Sequence, residues 1–203
     1  MNGLLARKVG MSRVFLPTGE AVAVTYLKID ENQVVRTKTK EKDGYEAVVL
    51  GVGAHTMKTR KGKELTKFKG QKEFKVVTLE GVAVGNKVDA SVIPADSTVT
   101  IVSTSKGKGF QGVVKRYHFS GGPRTHGSHF KREPGSIGMR TWPGRVHPGK
   151  RMAGRMGNDR ITLKNRPVVA MDEKEGLIAI KGPIPGPNGS LVTVIVETSA
   201  AKK

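Results

Sequence analysis

Four of the five histidines of this sequence, His118, His126, His129 and His147, fall in one stretch otherwise rich in Arg, Lys and Gly. Imidazoles so close together raise metal binding first, and His126 and His129 stand three apart in THGSHF. A metal shell needs further donors, usually thiolates or carboxylates. The chain has no Cys, and between residues 103 and 166 only Glu133 and Asp159 are acidic. No metal is expected, and no other cofactor. Catalysis by a Ser-His-Asp group or by paired carboxylates fails for the same lack of acids, so no enzyme is expected and no small-molecule substrate. Against RNA the same imidazoles have work to do, stacking on bases or donating to phosphate and ribose.

Gly-rich GKGFQG at 107–112 matches a dinucleotide fingerprint, and it follows the strand-like TVTIVST. Phe110, Val113, Val114 and Tyr117 have the spacing of a short helix beyond it. That helix has to end by SGGP at 120–123, and no return strand carries an acid for a ribose, because Glu133 lies in the loop HFKREPG. The favoured reading is a basic loop whose backbone approaches phosphate. Binding of a labelled nucleotide would separate a nucleotide-dependent enzyme from this reading.

GSIGMRTWPGRVHPGKRMAGRMG at 135–157 holds six glycines, two prolines and five Arg or Lys without one acid. Composition alone suggests a disordered linker. Yet Ile137, Met139, Trp142, Val146, Met152 and Met156 are interleaved with the bases, and the run is internal, returning to a strand at Pro167. Ordering each backbone residue costs about 1–2 kcal/mol, and this run has little apolar area to bury internally. The stabilisation must come from a partner. Arg holds phosphate with a planar fork and stacks on bases, and Trp142 offers a stacking face. An irregular segment suits crevices of folded RNA better than duplex DNA, whose groove takes a helix or ribbon. Lys106, Lys108, Lys115, Arg116, Arg124, His126, His129, Lys131, Arg132, Arg140, Trp142, Arg145, His147, Lys150, Arg151, Met152, Arg155 and Arg160 are the candidate RNA contacts. A free architectural protein would share this charge and would bind duplex DNA as well.

The elements that position these residues are of a different material. Of the net charge of +19, residues 103–166 carry +13, from fifteen bases and two acids, whereas the rest holds twenty-one bases and fifteen acids. Outside the basic stretch, β-branched runs alternate with turn signals: 13–15 and 21–29 around PTGE, then 46–52, 73–79, 98–104, 167–172, 176–182 and 191–197. Short strands with Gly-rich turns predict a mainly β fold, an antiparallel barrel or sandwich. Residues 55–72, HTMKTRKGKELTKFKGQK, are polar with little periodicity and read as a surface excursion with a short helix. The expected organisation is a β body, 1–103 and 167–203, into which a basic extension, 104–166, is inserted. A polyanion is the expected partner. A membrane is not, since there is no apolar run of spanning length, no long basic amphipathic helix and no lipidation motif. The first residues, MNGLLARKVGMSRVF, lack the apolar region of a signal peptide, and the absence of Cys sits easily with a reducing compartment; a cytoplasmic protein is expected.

The chain also resembles a known family nearly end to end. KVGMSRVF at 8–15, KDGYEAV at 42–48, TSKGKGFQGVVKR at 104–116, THG at 125–127, PGSIG at 134–138, PGRVHPGKRMAGRMGN at 143–158 and KGPIPGPNGS at 181–190 are similar to bacterial members of the large-subunit ribosomal protein three family. The resemblance implies a translation-protein-type β-barrel body with a long irregular extension toward the peptidyl-transferase centre. It also implies early binding in subunit assembly near the 3′ end of the large (23S) rRNA, with large-subunit ribosomal proteins fourteen and nineteen as neighbours. By the same resemblance Lys106 and Lys108, and Arg145, Lys150, Arg151 and Met152, are expected on rRNA. MRTW at 139–142 departs from the family's often more polar segment, and Arg155 replaces a glutamine that several relatives methylate.

Overall fold

The computed structural model describes residues 2–60, 62, 64–76, 81–94, 97–172 and 174–196. In chain order the elements are β1 (Gly3–Phe15), β2 (Ala21–Lys28), β3 (Asn32–Lys38), α1 (Lys40–Asp43), β4 (Ala47–Lys58), β5 (Glu64–Lys75), β6 (Lys87–Val88), a 3-10 turn (Ala90–Val92), β7 (Thr98–Thr104), β8 (Gly109–Gln111), α2 (Val113–Tyr117), β9 (Gly154–Met156), β10 (Arg160–Asp172), β11 (Leu177–Lys181) and β12 (Leu191–Val196). They form two compact units: described residues up to Thr104 and from Arg160 make one, Ser105–Asp159 the other.

The first unit is built on a closed antiparallel barrel in the order β1-β12-β7-β10-β11-β2. Closure removes the free edges that a sheet would otherwise expose. Alternation in β7 shows how the sequence places its core: Val99, Ile101 and Ser103 are buried while Thr98 and Thr104 are exposed. Leu4, Leu5, Leu27, Ile178, Ile180, Val192 and Val194 complete the interior from the other strands. A second sheet, β5-β4-β3-β6, contributes Val34, Val48, Leu50, Val52 and Phe74 to the same core. Six successive residues of β4, 47–52, are buried on both faces, which explains why EAVVLGV reads as an unbroken apolar run.

Buried polar groups join these layers. Asn32 accepts from Leu5 N–H (3.0 Å) through Oδ1, and its Nδ2 donates to Leu5 O and Asp30 O (both 2.9 Å), so one amide side chain continues the pairing where β2 gives way to β3. Lys8 is nearly buried, and its ammonium donates to Ile184 O (2.6 Å) and Gly186 O (3.0 Å) in the Pro- and Gly-rich loop before β12. Ser103 Oγ donates to Pro185 O in the same loop (2.8 Å). Side chains satisfy carbonyls that no ladder reaches.

The mainly β antiparallel prediction holds, and the structure adds elements that sequence did not suggest. Residues 55–58 and 64–72 are not an excursion with a helix: they belong to the paired arms of β4 and β5, in register from Ala47↔Lys75 to Lys58↔Glu64. The expected strand at 73–79 is described only to Val76, with 77–79 outside the described residues, as is Glu197 of 191–197. β3 and the two-residue β6 had no expectation behind them.

Candidate nucleic-acid interface

Ser105–Asp159 opens and closes on one ribbon. Ser105 N–H donates to Asp159 O (2.9 Å), Asp159 N–H to Ser105 Oγ (3.1 Å) and Lys108 N–H to Met156 O (2.9 Å). β8 then pairs with β9 in the register Gly109↔Met156, Phe110↔Arg155 and Gln111↔Gly154. Gly157 is required at the return: its φ is +73°, and a Cβ there would stand 2.2 Å from Lys106 O. Within GKGFQG, Phe110 lies in β8 and Gly112 caps the five-residue α2. The strand before that helix pairs antiparallel with one from the far end of the insertion, so the parallel crossover of a dinucleotide site is missing.

Helix α2 is tied to the segment before β9. Arg116 Nη1 donates to Met152 O (2.8 Å), and a Cβ on Gly154 would come within 2.6 Å of that nitrogen. The guanidinium of Arg116 stands 4.9 Å from the centre of the Tyr117 ring, and that of Arg151 5.7 Å. Both distances are those of cation–π contacts. A second crossing needs a glycine pair: Cβ atoms on Gly121 and Gly122 would lie 2.4 and 2.3 Å from Lys131 O and Phe130 O. Beside it His118, Phe119, Phe130 and Glu133 line an open cleft. From Lys131 to Met152 the backbone makes only bends and turns, with one cis peptide bond, at Trp142–Pro143.

The single buried residue of Ser105–Asp159 is Val113. Its large apolar side chains face outward instead, Trp142 80%, Met139 77% and Phe110 76% exposed. The unit holds twelve Arg or Lys against Glu133 and Asp159. None of the ion pairs among the described residues involves it. Among the described residues, Arg116 alone of those twelve has a side-chain hydrogen-bond acceptor.

The candidate residues fall accordingly. Lys106, Lys108, Lys115, Arg124, His126, His129, Lys131, Arg132, Arg140, Trp142, Arg145, His147, Lys150, Arg151, Met152 and Arg155 are exposed, while Arg116 is half-buried. Arg160, counted by sequence with the extension, is the first residue of β10 and pairs with Thr104 of β7. The ribbon brings Arg155 opposite Phe110, and Arg116 and Arg151 share the Tyr117 ring. His126 lies within the turn closed by Ser128 N–H on Thr125 O, His129 follows that turn, and His129 sits against Phe130 with ring centroids 4.7 Å apart. No group of three His, Asp or Glu suited to a metal occurs among the described residues. Phe110 and Phe130 were not among the candidates, and both are exposed aromatic faces. The signal for them was available, since an aromatic between glycines and bases has no core to enter. Unpaired cations, outward rings and close-approach backbone can dock a polyanion.

Known proteins of one family resemble this chain along its length. The family model for ribosomal protein L3 matches residues 30–179. The large ribosomal subunit protein uL3 of Herpetosiphon aurantiacus is 43% identical, with all of both chains covered. That of Leptospira biflexa is 43% identical over 95% of this chain and 97% of its own, and that of Bdellovibrio bacteriovorus 41% over 97% and 94%.

Proposed function

Because the chain belongs to the ribosomal protein L3 family, whose members are structural constituents of the large ribosomal subunit and not enzymes, we propose that it binds the large-subunit (23S) rRNA directly and that Ser105–Asp159 supplies the main contact. In bacteria that places it in the cytoplasm, on the ribosome. The finer reading is that the body binds near the 3′ end of the rRNA early in assembly, beside large-subunit proteins fourteen and nineteen, while the extension runs toward the peptidyl-transferase centre.

One observation carries the RNA reading: a compact unit with twelve cations, no internal ion pair and one buried residue. Such a unit cannot be held by its own core, because burial of apolar area is what offsets backbone ordering. Phosphate supplies the missing attraction, and exposed Trp142, Phe110 and Phe130 supply stacking surfaces for unpaired bases. Lys106, Lys108, Arg145, Lys150, Arg151 and Met152 are the first residues to test, followed by the other exposed cations and histidines of the unit.

The test replaces 106–158 by a short flexible linker, bridging two residues whose backbones are already hydrogen-bonded, Ser105 and Asp159. Affinity for large-subunit rRNA should collapse and its salt dependence flatten, while a cooperative melting transition survives. Unchanged affinity would overturn the assignment of the main contact to this unit.

A further inference from the structure

The arms of β4 and β5 run on beyond the core. At the root the ribbon is fixed: a Cβ on Gly51 would lie 2.6 Å from the Phe68 ring, and one on Gly70 would lie 2.5 Å from Leu191, so these glycines admit close side-chain packing. Past Ala54↔Phe68 the pairing continues through His55↔Lys67, Thr56↔Thr66, Met57↔Leu65 and Lys58↔Glu64, and these residues are exposed. A two-stranded ribbon with nothing against it is marginal in water. Its presence calls for a partner.

Strand alternation assigns the faces. His55, Met57, Leu65, Lys67 and Lys69 share one, and on it the cross-strand pair Met57 and Leu65 is 45% and 49% exposed. Residues 55–72 hold seven Lys or Arg and one acid, Glu64, which already pairs with Lys58 at 3.5 Å on the opposite face. The face with Met57 and Leu65 therefore combines a flat apolar centre with unneutralised lysines beside it.

We propose that this ribbon is a second RNA-docking element, separate in sequence from Ser105–Asp159, and that it lies on duplex RNA. The proposal rests on the rRNA reading above. Charge selects a polyanion. The exposed outer arms, 55–58 and 64–67, carry no phenyl or indole ring on which unpaired bases would stack, and Phe68 is half-buried and packs over the Gly51 position at the root. The minor groove of A-form RNA is wide and shallow, read by shape and by ribose and phosphate contacts. Met57 and Leu65 cover ribose edges there, and Lys67 and Lys69, two residues apart and so about 7 Å along the strand, reach phosphates of the flanking backbone.

Three variants of the full chain test it by binding to large-subunit rRNA over a range of salt: Lys67→Ala with Lys69→Ala, Met57→Ser alone, and Arg145→Ala with Lys150→Ala in the extension. The lysine pair should lower affinity and reduce the salt slope by about 1.4–1.8, two phosphate contacts at roughly 0.7–0.9 each. Met57→Ser should lower affinity with the slope unchanged. Parental affinity and slope for the lysine pair, with both reduced in the extension variant, overturn the ribbon contact alone. Parental behaviour in all three overturns the rRNA reading with it. Normal binding to bare rRNA but weakened retention on assembled subunits assigns the ribbon to a protein neighbour and also overturns the proposal.

Discussion

Arg116 on α2 and Arg155 on β9 belong to the same compact unit, yet their surroundings give them different tasks. Arg116 spends its guanidinium inside the protein, on Met152 O and the Tyr117 ring. Arg155 is exposed and has no acceptor among the described residues. Arg155→Gln should therefore reduce the salt slope of rRNA binding by roughly 0.7–0.9, one phosphate contact. Arg116→Ala should leave that slope unchanged and instead speed amide exchange at 152–154. A reversed pattern in the two experiments would show that the assignments are exchanged. In the other unit, Lys38 on β3 and Glu73 on β5 meet at 2.6 Å across β4, with the Tyr45 hydroxyl as a further partner of Lys38. The hydrogen bond from Lys38, then that from Tyr45, holds the Glu73 carboxyl below its ordinary 4.5, and the bond to Glu73 raises the Lys38 ammonium above 10.5. A depressed carboxyl stabilises the fold above its unfolded value and loses that contribution as pH falls through the folded one; a raised ammonium loses its own as pH rises past the folded value. Glu73→Gln should thus melt lower than the parent from about pH 5 to 10, with the difference vanishing in acid below the Glu73 titration. Equal melting temperatures at pH 7 would remove the pair from the stability of the sheet.

Within β4 one strand changes its role along its length. Leu50 is fully buried and Met57, seven residues on, is 45% exposed. Leu50→Ala should cost about 2–5 kcal/mol by denaturant unfolding, whereas Met57→Ala should stay within about 0.5 kcal/mol. Comparable losses would mean that the outer ribbon belongs to the core. The same contrast explains what the sequence could show. Strands that face the interior carry a β-branched signature, as in TVTIVST, GLIAIKG and LVTVIV, because burial imposes it. The outer arms of β4 and β5 face no core, so their residues are free to be basic and polar, and HTMKTRKGKELTKFKGQK reads as irregular. β3 went unseen because NQVVRTK buries little beyond Asn32 and Val34. Arg160–Leu163 of β10 pairs with β7 while its sequence still carries the charge of the neighbouring segment. The glycine-rich charge of Ser105–Asp159 is legible for the opposite reason: with no core to enter, its residues carry no burial pattern that would mask it. Its pairing of residues 109–111 with 154–156 was not, since a three-residue ribbon leaves no periodic mark.

Over the whole molecule, the strands before the insertion and those after it are interleaved around the barrel, at four of its six seams. In the order β1-β12-β7-β10-β11-β2, the seams β1–β12, β12–β7, β7–β10 and β11–β2 each join an earlier strand to a later one. Neither half can close the barrel alone, and the interior side chains Ile101 and Val194 come from opposite sides of the insertion. Cutting the chain between Gly127 and Ser128, at an exposed turn, would then yield two polypeptides that remain one folded object. A specific protease site engineered there should give fragments that co-elute after cleavage and part only in denaturant, and separation in native buffer would contradict the interleaving. The molecule is in this sense a self-assembled heterodimer whose two partners happen to be joined by the segment proposed to bind RNA.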